Sequence, residues 1–320
     1  MRFYEISLIQ PGSSSAPVTF SSHPNGQYDP CALNVLFDMP VLPYHTPAGG
    51  QTIQIEGIPL SAISQAEVLA NMIVTVKGGM QSGLPLANPA QAGVLVQGQV
   101  FQSWGNWEGT EMVLALMLNP ASYTMDDPGN FTLVWRAGQP LSTALQNMFS
   151  VVYPNQPVSM NIGSNIVNDT DFIHRASTLE GLAGVLHDFT DTMFSQPVYH
   201  TIQAGKIVVY DKTYQPAPIQ LAFTDFIGQP TWIDQQTMQV KTVMRADIQV
   251  GAIIAMPQGF QNAPGLITTQ GSSLPSSNKY KSAFQNNFTV SELRHIGDYR
   301  SPDGSAWATI FNCIENAAST

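Results

Sequence analysis

The side chains of this chain best suited to hold a metal or move a proton are its six histidines, His23, His45, His174, His187, His200 and His295. None of them forms an HxH, HExxH or HxxxH pair, so a metal centre has no support in the spacing. His187-Asp188 with Asp191 resembles an acidic metal-binding helix face. The apolar stripe of that helix lies elsewhere, however, and a solvated face is the better reading. Asp169 and Asp171 lack the glycine and closing glutamate of a calcium loop and read as a turn. Asp126-Asp127-Pro128-Gly129 is a turn signal ahead of a strand at Phe131. No GxSxG elbow, P-loop or GxGxxG stretch occurs. Glu108 and Asp191 remain as acids on which a peptidoglycan hydrolase would have to rely. Trp104 and Trp107, three apart around Gly105, offer two readings. They could stack on a sugar as a carbohydrate-binding adhesin would, or form a β-turn whose rings pack on a barrel end or at a subunit interface. Aromatic enrichment at interfaces favours packing.

No cofactor is expected, and the chain reads as a structural protein rather than an enzyme. Its 320 residues allow roughly two domains at about 150 residues each. Hydrophobic residues make up 43% and charged residues only 11%, where a soluble domain typically carries about 25% charge. Gln, Asn, Ser, Thr, Gly and Pro supply the polar remainder. A surface so poor in charge is one that faces other subunits; a secreted or adhesive β domain would have a similar composition. The net charge of −10 excludes a basic nucleic-acid-binding domain. An acidic wall would still let DNA slide past without sticking. The opening residues lack a signal peptide's apolar core, and no stretch is long and apolar enough to predict a membrane span. Cys31 and Cys313 match no metal or CxxC pattern and read as buried or semi-exposed thiols.

The elements that must position these residues are mostly strands. Phe3 to Ile9, Leu33 to Phe37, Ile53 to Ile55, Met72 to Val76, Val94 to Phe101, Met112 to Leu118 and Phe131 to Trp135 alternate with period two. Gly- and Pro-rich connections, notably Pro11 to Pro30 and Gly78 to Gly93, separate them. The pattern predicts a first β-barrel over residues 1–137. A small α+β module follows over 138–212. Its first helix starts at Pro140, in the first turn, and carries Leu141, Leu145, Met148, Phe149 and Val152 on one face. A strand spans Val158 to Ile162. The second helix opens with a Ser177/Glu180 capping box and buries Leu179, Leu182, Leu186, Phe189 and Met193. Gly181 and Gly184 would allow close packing. Val198 to Ile202 and Lys206 to Tyr210 form a hairpin around Gln203-Ala204-Gly205. Residues 213–320 form a second barrel with strands at Met238 to Ala246, Ile248 to Met256, Asn287 to Leu293 and Trp307 to Cys313. Its long loop, 257–284, is expected to order against a partner or to remain mobile.

The C-terminal stretch His295-Ile296-Gly297-Asp298-Tyr299-Arg300-Ser301, followed by Trp307-Ala308-Thr309, resembles the closing motif of baseplate hub proteins from contractile-tailed, Mu-like bacteriophages. Val76 to Met80 and Gly93 to Thr110 look like the first barrel of such proteins. The order of modules, barrel, small helical module, barrel, is similar to theirs. As a local device the motif reads as a turn between two strands. Gly297 would supply a positive φ, Asp298 would bond nearby backbone N–H groups, and His295 would cap or pack. The resemblance implies a homotrimer whose subunits each carry two tail-tube-like barrels. That ring would match a hexameric tail tube on one side and a trimeric central spike on the other, beside other baseplate subunits, with DNA passing through its lumen. It also implies a place in the virion's tail baseplate, after assembly in the host cytoplasm. The hub of a related contractile injection system fits the same residues. Trp104, Trp107, His295, Gly297, Asp298 and Trp307 are the candidate structural or interface residues.

Overall fold

The computed structural model describes residues 1–12, 16–43, 50–60, 66–81, 88, 91–120, 130–154, 156–234, 236–257 and 287–315. His45, Asp126 to Gly129 and nearly all of the long 257–284 loop lie outside them. The chain divides into two compact units. The first contains Met1–Pro40, Gly50–Asn119 and Pro216–Thr320; the second contains Val41–Gly49 and Pro120–Gln215.

The described residues begin with seven strands: β1 (Arg2–Ile9), β2 (Val18–Ser21), β3 (Asn34–Val41), β4 (Gln51–Glu56), β5 (Ile73–Met80), β6 (Gly93–Glu108) and β7 (Glu111–Asn119). The second unit supplies β8 (Phe131–Trp135), helix α1 (Leu141–Val152), β9 (Val158–Asn161), β10 (Phe172–Ala176), helix α2 (Leu179–Phe194), β11 (Tyr199–Gln203) and β12 (Lys206–Tyr210). The chain then adds β13 (Ile219–Gln220), β14 (Thr231–Trp232), β15 (Thr237–Val243), β16 (Ile253–Ala255), β17 (Asn287–Asp298) and β18 (Trp307–Glu315).

In the first unit, the strands expected of two barrels occupy the two ends of one hydrogen-bonded path. Its order is β14-β15-β18-β17-β3-β4-β7-β6-β5-β1-β2, and β16 joins β17 to β13 to complete a 13-stranded sheet. The β3–β17 junction unites the early and late parts of the sequence. Period-two burial drives the folding of this sheet. Tyr4, Ile6 and Leu8 of β1 are buried, as are Val35, Phe37 and Met39 of β3, and Ile53 and Ile55 of β4. Two of the longest strands break that period. In β6 the register shifts between Val100 and Gln102, and in β17 between Val290 and Glu292. Each β-bulge inserts one residue and exchanges the faces of everything after it.

The second unit packs α1 and α2 against β8–β10 and the three-stranded sheet β11-β12-β9. Trp135 is fully buried there, donates its indole N–H to the Gln139 carbonyl at 2.7 Å, and meets Phe172 and Phe189 edge-on. Strand β8, which the period-two pattern groups with the preceding strands, pairs instead with β10 in this unit. The β11–β12 hairpin turns through Ala204 and Gly205, both at positive φ, as a two-residue hairpin turn requires.

Several local expectations need correction. Strand β2 lies within the segment read as a Pro- and Gly-rich connection. Pro140 is the N-cap of α1, immediately before its first turn. Thr178, not Ser177, caps α2, accepting a hydrogen bond from the Gly181 N–H at 3.1 Å. Met193 is 59% exposed, while Ala183 and Thr190 join the buried face of α2. Gly184 has open space where a Cβ would stand, so no close packing requires it. Cys31 is exposed, whereas Cys313 is buried.

Candidate assembly interface

The closing motif is part of a strand rather than a turn. His295, Gly297 and Asp298 belong to β17, and the bend follows at Tyr299. Because the bulge after Val290 exchanges faces, Leu293, His295 and Gly297 point into the core. Gly297 does not have a positive φ. It is glycine for a different reason: a Cβ there would lie 2.4 Å from the Phe37 ring. The aromatic ring takes the space a side chain would need.

His295 is buried and its Nδ1 shares a 2.9 Å hydrogen bond with Thr309 Oγ1. Complete burial pushes its pKa down to about 3, so the ring is neutral. The same Thr309 hydroxyl accepts from the Arg245 backbone N–H at 3.0 Å. The Arg245 side chain is the buried centre of an ionic cluster with the buried Asp225 and the more exposed Asp247. The Arg245 guanidinium donates to both Asp247 oxygens, at 2.9 and 2.7 Å, and to Asp225 at 2.7 Å. Burial opposes the Arg245 charge, but the two carboxylates prevail and its pKa is raised. Gln91 adds a 3.1 Å bond to Asp225 and ties the β5–β6 connection to this cluster.

Trp307 finishes the clasp. Its indole N–H donates to the Gly79 carbonyl at 3.0 Å, and its ring lies edge-on to Phe37 at 5.1 Å. Asp298 accepts from the Ser301 N–H at 3.2 Å, as a turn-stabilising aspartate does. Sequence reasoning did not single out Arg2, yet it anchors this bend. Its guanidinium donates to the carbonyls of Asp298 and Tyr299, at 2.7 and 3.1 Å, and to those of Ser301 and Asp303. No local signal marks it, because its partners are about 300 residues away in sequence. The motif therefore holds early and late strands together, and its His295, Gly297 and Trp307 are not surface groups.

Trp104 and Trp107 are exposed, at 40% and 64%. They lie on β6, not in a β-turn; the turn is Gly109-Thr110, with Gly109 at positive φ. The register is regular from Trp104↔Ala115 to Trp107↔Met112. Residues three apart on a regular strand point to opposite faces. The two rings therefore do not build one sugar-stacking platform. Trp107 continues the row of Ser103 and Gly105, whose partners Leu116 and Leu114 are buried, and projects beyond it at the hairpin tip. Trp104 faces the other way.

The remaining candidates stay apart. His187 is half-buried, meeting the Tyr199 ring edge-on at 5.2 Å, and approaches Asp188, which is 86% exposed. Asp171 accepts from the Ala137 N–H and pairs with Arg136, and these bonds hold its carboxyl below its ordinary pKa. Among the described residues, no group of three or more His, Cys, Asp or Glu is placed to hold a metal ion. Nor is any helix among them long and apolar enough to cross a membrane.

No protein-family pattern and no characterised protein sequence matches this chain. Solved structures do match along its length. The 43 kDa tail protein of prophage MuSo2 from Shewanella oneidensis has a TM-score of 0.55 at 7% identity, covering 98% of this chain and 97% of its own. The fold is one that tail proteins carry. The E. coli c3393 protein, a component of the type VI secretion system structurally similar to the T4 tail proteins gp27 and gp5, has a TM-score of 0.52 at 10% identity, covering 97% of this chain and 76% of its own. A chain of the Francisella PdpA–VgrG complex has a TM-score of 0.51 at 6% identity, covering all of this chain and 58% of its own. The fold is mainly β with a small α+β module, as the sequence pattern predicts.

Proposed function

We propose that this chain is a structural subunit of a phage tail baseplate, the hub that adapts a hexameric tail tube to a trimeric central spike. The observation that carries this reading is the end-to-end likeness to the MuSo2 tail protein, in which neither chain has a large unmatched part. In the hub, three copies form a ring, and the tube, spike and other baseplate subunits are its partners. The net charge of −10 suits a wall past which DNA moves without binding. The role is mechanical rather than catalytic, within a virion assembled in the host cytoplasm.

Light scattering on the purified full chain, alone and mixed with the tube and spike proteins, tests this. A mass of three subunits and a ring with a central channel in electron micrographs are expected. A monomer that associates with neither protein at micromolar concentration overturns it. A second reading, the hub of a related injection system, is favoured by the secretion-system component and the VgrG-complex chain among the similar structures. Gene neighbours separate the two: tape-measure and capsid genes support the phage, effector genes the injection system.

A further inference from the structure

The sequence contains one Asn–Gly pair, Asn25-Gly26. It sits in the tight turn Pro24–Gly26 that follows β2, and Pro24, Asn25, Gly26 and Gln27 are all exposed. An asparagine followed by glycine brings two reactive groups within reach. The backbone nitrogen of the glycine and the side-chain amide carbon of the asparagine can close a five-membered ring, and glycine has no Cβ to shield the nitrogen. Gly26 has open space where a Cβ would stand, so water reaches the pair. Asparagine counts among the thermolabile residues because of this chemistry.

The conformation of the turn opposes the reaction. Asn25 has φ 54° and ψ 26°, a left-handed conformation that asparagine tolerates. Ring closure needs the Gly26 nitrogen and the Asn25 Cβ nearly eclipsed about the Cα–C bond. In an L-residue that requires a strongly negative ψ; at the observed ψ the two atoms stand almost opposite each other. The nitrogen is also committed. Its N–H donates to the His23 carbonyl at 3.0 Å, and the Gln27 N–H donates to the Pro24 carbonyl at 3.2 Å. His23 is itself anchored, buried against the rings of Phe3 and Tyr28.

We infer that Asn25 is a self-modification site, held shut by the folded turn and released when the turn opens locally. In the open turn the Gly26 nitrogen loses its proton and bonds to Asn25 Cγ. The Cγ–Nδ2 bond breaks and ammonia leaves. Water then opens the cyclic imide. Addition at Cγ gives aspartate, whereas addition at the main-chain carbonyl carbon gives isoaspartate, whose main chain is one methylene longer. Either product adds one negative charge to an already acidic chain. Aspartate also tolerates the left-handed conformation, so it fits the old turn. The longer isoaspartate backbone does not fit the spacing of the His23 and Pro24 bonds.

The test incubates the full chain in neutral buffer, folded and in urea, and follows Asn25 by peptide mass spectrometry with fragmentation that distinguishes isoaspartate. Asn25 is expected to convert before any other asparagine in urea, with isoaspartate among the products. In the folded chain the conversion should be about tenfold slower, because an exposed turn opens at small free-energy cost and only the open form reacts. Pro24→Gly releases the fixed φ at the start of the turn. It should speed the folded-state conversion about threefold and leave the rate in urea unchanged. A circular dichroism melt within a few degrees of wild type shows that this variant is folded, and the wild-type comparison stands without it. Equal rates in the folded and unfolded chain overturn the inference. So does another asparagine converting ahead of Asn25 in urea, or a folded Pro24→Gly that converts no faster than wild type.

Discussion

Strands β6 and β17 lie in the same sheet, and each contains a single-residue bulge in the run that carries its candidate side chains. The consequences are opposite. In β17 the bulge turns His295 and Gly297 inward, beneath Thr309 and Phe37. In β6 it turns Trp104 outward, away from the row of Val96, Gly98 and Val100. One bulge completes a core and the other furnishes a surface. Aromatic residues mark both places, so residue type alone does not say which is which. What differs is the partner strand: Trp307 meets Phe37, Tyr299 and the Gly79 carbonyl, whereas Trp104 stands opposite Ala115 at the end of an uncharged row.

This contrast can be broken by substitution. Trp307→Ala should have the largest effect, a loss of about 4 kcal/mol for an emptied core site with an orphaned carbonyl, measured by urea unfolding. A loss under 1 kcal/mol would show that the clasp is dispensable. Arg245→Met leaves Asp225 buried without its cation and should cost about 3 kcal/mol. Adding Asp225→Leu should recover part of that if the isolated charge is the cause. Gly297→Ala forces a methyl group against the Phe37 ring and should cost about 2 kcal/mol. In a Phe37→Leu background the same change should cost clearly less, because the ring is what occupies the space.

The pH response sharpens the same contrast. The folded-state pKa of His295 is depressed to about 3, below the unfolded value of about 6.5. The unfolded chain therefore binds the proton first. The His295 contribution is fully present above pH of about 6.5 and is lost as pH falls towards the folded value, with a slope approaching about 1.4 kcal/mol per pH unit. His295→Leu should remove that slope; an unchanged slope would place its origin in other groups. Trp104→Ser should have the smallest effect on the stability of the single chain, about 0.5 kcal/mol. A loss as large as that of Trp307→Ala would make β6 part of the core and erase the distinction.

Much of the strand pattern was legible because burial on one face leaves a period of two. β1, β3 and β4 follow it closely, whereas β7 and β18 depart from it in the buried runs Leu114 to Leu116 and Trp307 to Thr309; the β11–β12 hairpin was legible from its turn and the helices α1 and α2 from their apolar stripes. The bulges were not legible. A period-two reading carried on from Val100 puts Trp104 on the core face, and one carried on from Val290 puts His295 on the outer one. Only a partner strand shows where a register slips. The role of Gly297 was hidden for a similar reason, since glycine for positive φ and glycine for a neighbouring ring look the same in sequence. Strand β8 was grouped with its neighbours in the chain because its partner, β10, lies well downstream.

The sequence by itself determined the mainly β character, the helical interruption after Arg136 and the low charge of the chain. These are properties of composition and short-range period, which each segment carries alone. The tertiary structure decided that early and late strands share one sheet, that the motif is a buried clasp held by Arg2, Phe37 and Gly79, and that Trp104 and Trp107 face opposite ways. Each of these depends on which distant strand lies alongside and in what register, and the energy that selects that register comes from side chains far apart in the chain.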